Sequence, residues 1–228
     1  MISRSPSQNA IHKAIAEGQD LEALIIAARE PGTLASRDAA GVSVILAALY
    51  RDREPLARRL AALGAPVGLH EAAALGNSRV LRGQLDKGNL DSFTPDGFTP
   101  LHLACYFGRE DAAVDLIESG ANINTTSRGQ LRTTALLAAI ASHHPTLAFR
   151  LLDLGARTDA RGDGGFTPLH AAAARGDSDL VVRLLDLDAD ARAVTDGGLT
   201  PADSGEKSGH STAARLLRAA LKERPADE

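Results

Sequence analysis

The chain repeats itself at an interval of about 34 residues, and this interval constrains its fold more than any other feature. Residues 96–104 and 164–172 both contain Phe-Thr-Pro-Leu-His, and they lie 68 positions apart. A related segment begins halfway between them at Thr134, and another begins at Gly198. A single short helix pair cannot bury its own apolar face, so such units are stable only when they stack on neighbours. The sequence therefore predicts a stacked repeat array.

Seven copies can be placed in one register. The equivalent positions are Ile11, Ile45, Leu69, Leu101, Leu136, Leu169 and Ala202, at spacings of 34, 24, 32, 35, 33 and 33. They predict a single repeat domain over 9–222, between a flexible N-terminus at 1–8 and a C-terminal tail at 223–228. The expected repeats, numbered one to seven, are 9–40, 41–66, 67–94, 95–131, 132–163, 164–196 and 197–222.

The best-matched repeats carry residues that start and stop a helix. Thr167 precedes Pro168, and a threonine hydroxyl can accept a hydrogen bond from an otherwise unpaired amide at a helix N-terminus. Proline fits the first helical position, where its missing N–H is no loss. Gly176 follows the helix and suits the left-handed conformation of a C-terminal cap. A second helix follows and ends at a Leu-Leu-x-x-Gly-Ala pattern such as residues 151–156.

These motifs resemble those of the ankyrin-repeat family, in which a turn leads into Thr-Pro-Leu-His-x-Ala and the second helix ends in Leu-Leu-x-x-Gly-Ala. The resemblance covers roughly residues 9–222. It implies an all-α ankyrin-repeat solenoid of stacked helix pairs joined by short hairpin loops, with atypical terminal repeats. It also implies a rigid, non-catalytic scaffold or adaptor that binds a partner protein on a concave face.

In the family, hairpin tips and the exposed ends of first helices line that face. Carrying these positions over gives the expected partner-binding residues Tyr50, Arg51, Asp96, Phe98, Tyr106, Phe107, Phe166 and Arg175, with Leu199 and Lys207 in the last repeat. Four of the seven Phe and Tyr rings fall within residues 93–107. Tyr, Trp and Arg dominate interface hot spots, so this aromatic cluster is the preferred site.

Candidate catalytic groups do not assemble in the sequence. His102 and His170 occupy the repeated Leu-His position, where the family uses the imidazole to hydrogen-bond loop backbone. Cys105 stands where alanine is usual and is expected to be a buried small residue. The stretch 205–208 lacks the glycine spacing of a phosphate-binding loop. We expect no catalytic, cofactor or metal residues, and hence no enzyme.

Composition restricts the partners and the location. The formal net charge is −4, which gives no electrostatic case for nucleic acid. No apolar run approaches the roughly 18 residues of a membrane span. One cysteine excludes an internal disulfide and indicates a reducing compartment. We expect a soluble, cytoplasmic monomer that binds neither nucleic acid nor membrane.

The junction at residues 64–70 departs from the pattern, since its spacing of 24 leaves no room for a full hairpin. One interpretation is a lost hairpin with the helices still stacked. The other is a bend or cleft, which would allow a small-ligand sensor or an enzyme with its pocket there. An effector or neutralising protein that acts by binding a specific target is a further alternative.

Overall fold

The computed structural model describes residues 6–85, 90–129 and 131–223. These residues form fourteen α-helices, two short 3-10 turns and one isolated bridge between Arg37 and Ser43. The described parts of the chain contain no β-strand. The prediction of an all-α repeat fold is confirmed.

The helices belong to two compact units. The N-terminal unit comprises the described residues up to 104 together with 111–120. Its helices are α1 (Pro6–Glu17), α2 (Asp20–Arg29), α3 (Val44–Leu49), α4 (Glu54–Ala62), α5 (Leu69–Leu75), α6 (Ser78–Arg82) and α8 (Glu110–Glu118). Within this unit α1, α3 and α5 pack successively, and α2 packs on α4.

The C-terminal unit comprises residues 105–110 and the described residues from 121 onward. Its helices are α9 (Ala135–Ala141), α10 (Pro145–Asp153), α11 (Pro168–Arg175), α12 (Ser178–Asp186), α13 (Pro201–Lys207) and α14 (Ser211–Glu223). Helix α7 (Pro100–Tyr106) begins among the residues of the N-terminal unit and ends with Tyr106 in the C-terminal unit, and the first residue of α8, Glu110, also belongs to the C-terminal unit.

First and second helices form separate rows in the C-terminal unit. The first helices α9, α11 and α13 pack on one another, and the second helices α10, α12 and α14 pack behind them. Ala172 and Ala173 are fully buried where α11 is packed between its neighbours. Small side chains keep the helices narrow, so their axes can approach to about 8–10 Å. An alanine-rich core therefore suits this close stacking.

The predicted helix starts are present. The Thr167 hydroxyl accepts a hydrogen bond from the His170 amide at 3.4 Å, and Pro168 occupies the first position of α11. In α13 the Thr200 hydroxyl accepts from the Asp203 amide at 3.2 Å. Gly176 follows α11 with a φ of 72°, in the left-handed region. The Thr-Pro and Gly positions therefore set the length of α11.

The short junction lacks a hairpin, and the helices remain stacked across it. Helix α4 ends at Ala62, α5 begins at Leu69, and α5 packs on α3. A Cβ added to Gly41 would lie 2.9 Å from Pro95, so the hairpins of repeats two and four come into direct contact. Gln84 Nε2 donates to the Val67 carbonyl at 2.9 Å and fastens the short connection.

The chain ends bear on two predicted boundaries. Helix α1 begins at Pro6, inside the segment 1–8 that the sequence predicts to be a flexible N-terminus. Residues 1–5 and 224–228, which make up most of the predicted N-terminus and C-terminal tail, lie outside the described residues. The single-domain boundary of 9–222 stays a prediction.

Candidate functional site: the ends of the first helices

Tyr106 and Phe107 form an exposed aromatic pair at the C-terminal end of α7. Tyr106 is 49% exposed, and Phe107 is partly buried. Their ring centroids lie 5.0 Å apart with an interplanar angle of 88°, the edge-to-face arrangement that aromatic rings favour. The pair therefore presents a pre-ordered apolar surface with a phenolic hydroxyl.

The His144 side chain supports this pair from the next repeat. Its Nε2 donates to the Tyr106 carbonyl at 3.1 Å. The imidazole lies over Gly108, where an added Cβ would overlap the ring. Gly108 has a φ of 66°, a backbone conformation that favours glycine, and the ring above it leaves no room for a Cβ. Sequence reasoning missed this role of His144.

Equivalent positions in later repeats continue the surface within the C-terminal unit. We call this set the helix-end row; it consists of Tyr106, Phe107, Ala141, Ser142, Ala174, Arg175 and Lys207. Arg175 and Lys207 are exposed in the last turns of α11 and α13. The small residues between the aromatic pair and these two cations leave the surface uncrowded.

The N-terminal unit carries four of the expected residues in two places. Arg51 is exposed after α3, and its Nη1 donates to the Ala47 carbonyl at 3.0 Å. Tyr50 is partly buried beside it. In the hairpin of repeat four, Asp96 is partly buried, and its Oδ1 atom is buried without a hydrogen-bond partner among the described residues. Phe98 contacts His102 edge-on, at 6.2 Å between ring centroids.

Phe166 repeats the arrangement of Phe98 in the C-terminal unit. It is 36% exposed, and its ring lies 5.6 Å from that of His170. Each of these phenylalanines thus covers the histidine of its own repeat. This packing gives both rings a structural role, whereas Tyr106 leaves about half of its surface to solvent.

The repeated histidines hold hairpins in place. His170 Nε2 donates to the Leu199 carbonyl at 2.9 Å, and its Nδ1 accepts from the Thr167 hydroxyl at 2.8 Å. Burial lowers the pKa of His170, which favours the neutral ring that this pattern of one donor and one acceptor needs. His70 Nε2 likewise donates to the Ser92 carbonyl at 2.9 Å. The predicted structural role of His170 is confirmed.

Other reactive groups are buried or dispersed. Cys105 is fully buried, and burial raises the pKa of its thiol, which disfavours the nucleophilic thiolate. The described residues contain no cluster of three or more side chains that could hold a metal ion. Within the same ranges, no helix has the length and apolar character needed to span a membrane.

Family comparison agrees with this geometry. A family model described as ankyrin repeats (3 copies) matches residues 11–127 and 69–161, and a second, ankyrin repeats (many copies), matches residues 151–203. The chain belongs to the ankyrin-repeat family. No curated protein matches it. Ankyrin repeats are generally protein–protein interaction modules and are typically non-catalytic.

Proposed function

We propose that this ankyrin-repeat protein is a non-catalytic scaffold or adaptor that captures a partner protein, and that the helix-end row is the principal contact surface. The exposed Tyr106–Phe107 pair carries the proposal. A large ring held at low entropic cost is the kind of side chain that dominates interface hot spots. His144 and the edge-to-face contact hold the pair in place before a partner arrives.

The other expected residues have secondary roles in this proposal. Arg51 is exposed and can contribute to binding in the N-terminal unit. Phe98 and Phe166 contact the histidines of their own repeats, so we expect their loss to affect stability as well as binding. Asp96 and Tyr50 are partly buried and offer less surface to a partner.

The proposal includes a cytoplasmic location and a monomeric state. A buried free thiol at Cys105 is compatible with a reducing compartment. A monomer leaves the helix-end row open to a partner. Sedimentation equilibrium would reveal a stable dimer, which would contradict this part of the proposal.

Affinity purification with a double variant tests the proposed surface. We expect Tyr106→Ala with Phe107→Ala to reduce the recovery of the specific partner from the native organism strongly. Both positions are at a helix end and not in the core, so the fold should persist, which circular dichroism would check. The matched control is Val182→Ala, because Val182 is an exposed apolar residue on α12. Equal recovery with both baits would overturn the assignment.

A further inference from the structure

Two first helices of the C-terminal unit, α11 and α13, end in an exposed cation. These cations are Arg175 and Lys207. Neither Arg175 nor Lys207 forms an ion pair with any described residue. Helix α13 also carries Asp203 and Glu206, and the second helix α12 carries the exposed Asp179 and Asp186 together with Arg183. The side chains that make up the helix-end row carry two positive charges and no negative charge, although the chain as a whole has a formal net charge of −4.

Three carboxylates lie close in sequence to these two cations, and each has a hydrogen-bond partner. Asp203 Oδ2 accepts from the Thr200 hydroxyl at 2.6 Å at the start of α13. Asp177 Oδ1 accepts from the Leu180 amide at 3.0 Å, where it caps α12. Glu206 accepts from Arg218 Nη1 at 2.9 Å. Arg175 and Lys207 therefore keep their charge available for an outside carboxylate, and charge complementarity steers and orients association.

The distance from the aromatic pair to the cations sets the form of the ligand. Arg175 lies two repeats beyond Phe107, and adjacent first helices stack about 8–10 Å apart. The separation is therefore about 16–20 Å, which an extended chain spans in about five or six residues. Ala141 and Ala174 lie in between and leave room for a backbone to pass.

On the basis of the proposed function, we propose that the helix-end row binds an extended acidic segment of the partner. Its apolar or aromatic side chains contact Tyr106 and Phe107. Its carboxylates begin about five or six residues away, where they contact Arg175, and continue to Lys207 one repeat farther on. The aromatic end supplies most of the affinity, and the cationic end selects acidic sequences and sets the direction of the bound chain.

Three synthetic peptides test this inference by fluorescence anisotropy on the full-length chain. The first has Leu and Phe at one end, a Gly-Ser spacer of about five residues and several Glu residues at the other end. The second replaces Glu by Gln, and the third replaces Leu and Phe by Ser. We expect the first to bind at least about tenfold more tightly than either of the others, with an advantage over the Gln peptide that shrinks as salt increases.

Charge reversal then locates the contact. We expect Arg175→Glu with Lys207→Glu to remove the preference for Glu over Gln. The control is Arg150→Glu with Lys222→Glu, which makes the same change of charge at exposed positions on second helices and should keep the preference. Thermal melting would verify that both proteins are folded.

The outcomes separate this inference from the proposed function. Equal binding of the Glu and Gln peptides, equal loss in the two charge-reversed proteins, or no saturable binding up to about 1 mM would overturn the acidic-segment inference. If the Glu and Gln peptides bind equally but still depend on Tyr106 and Phe107, the proposed surface stands without the acidic preference. Binding that is unaffected by changes at either end would contradict both.

Discussion

The ends of α9 and α11 are two solutions to the same backbone turn. After α11, Gly176 takes a φ of 72°; after α9, His143 takes a φ of 63°. The left-handed conformation strains a residue that has a Cβ, and glycine avoids this cost. A Cβ on Gly176 would also overlap the His210 ring from the next repeat. In the repeat that follows His143, the position equivalent to His210 is occupied by Asp177, which has a shorter side chain.

Other repeats show the same relation between the turn residue and the side chain that the next repeat places over it. Gly18 lies under the side chain of Arg53, and Gly108 lies under His144. Asp52 has a φ of 56°, and the corresponding residue of the next repeat is the short Asn77. Where the next repeat places a long side chain over the turn, the turn residue is glycine. Where the next repeat places a short side chain there, the turn residue can carry a side chain of its own. The comparison teaches that glycine is needed here for space as well as for φ.

The largest change in stability should come from replacing the glycine that follows α11. We expect Gly176→His to destabilise the chain by about 2–3 kcal/mol, because it combines left-handed strain with overlap on the His210 ring. Adding His210→Asp recreates the His143–Asp177 arrangement and should recover more than half of that loss. Urea unfolding of the two single variants and the double variant measures the coupling. A double variant no more stable than Gly176→His would contradict the rule.

Replacing the histidine that follows α9 with glycine measures the backbone strain separately from the overlap of side chains. We expect His143→Gly to raise stability by up to about 1 kcal/mol, because it relieves the left-handed strain and loses part of the gain to greater freedom in the unfolded chain. The same urea experiment serves here. Destabilisation would indicate that the His143 side chain makes a contact worth more than the strain.

Lower pH should weaken the hairpin that His170 holds, with a smaller effect. Burial lowers the pKa of His170 in the folded chain, so the unfolded chain binds the proton more readily. The stabilisation is complete above the unfolded value of about 6.5 and is lost as the pH falls through the folded pKa. Melting curves between pH 7.5 and pH 5 should show a loss that is reduced in His170→Gln. Equal losses in the two proteins would contradict this role.

The smallest change is expected at the end of α12. Asp188 has a φ of 58° where Gly155 occupies the equivalent position after α10. Aspartate tolerates the left-handed region better than most residues, so Asp188→Gly should stabilise by only a few tenths of a kcal/mol. Precise urea titrations would detect this change. A gain as large as that of His143→Gly would show that the two turns are strained alike.

Most of the fold could be predicted from the sequence because its determinants are local. Thr167 and Pro168 start α11, Gly176 follows its end, and their neighbours in sequence carry the interactions. The contact of Pro95 with Gly41 could not be predicted, because it depends on what two distant hairpins do when the one between them is absent. The start of α1 at Pro6 was also missed, since residues 3–8 contain no apolar side chain other than Pro6 and carry no repeat motif.

The candidate site could be predicted in part. Aromatic clustering and the register of the repeats led to Tyr106 and Phe107. The support from His144 was missed for a simple reason. His144 precedes the second helix of its repeat and covers a glycine of the repeat before it, so its role is visible only when the two repeats are aligned. Alignment of Gly108 with His144 and of Gly176 with His210 contains that signal. The packing of Phe98 and Phe166 on histidines was hidden, because a ring's exposure depends on tertiary contacts.

The affinity of a purified partner for matched variants tests the central claim most directly. Isothermal titration would compare the unaltered chain, Tyr106→Ala with Phe107→Ala, and Val182→Ala. We predict that the aromatic double variant raises Kd at least about tenfold, a cost of about 1.4 kcal/mol, while the control leaves it unchanged. An unchanged Kd in a folded double variant would contradict the assignment of the helix-end row as the binding surface.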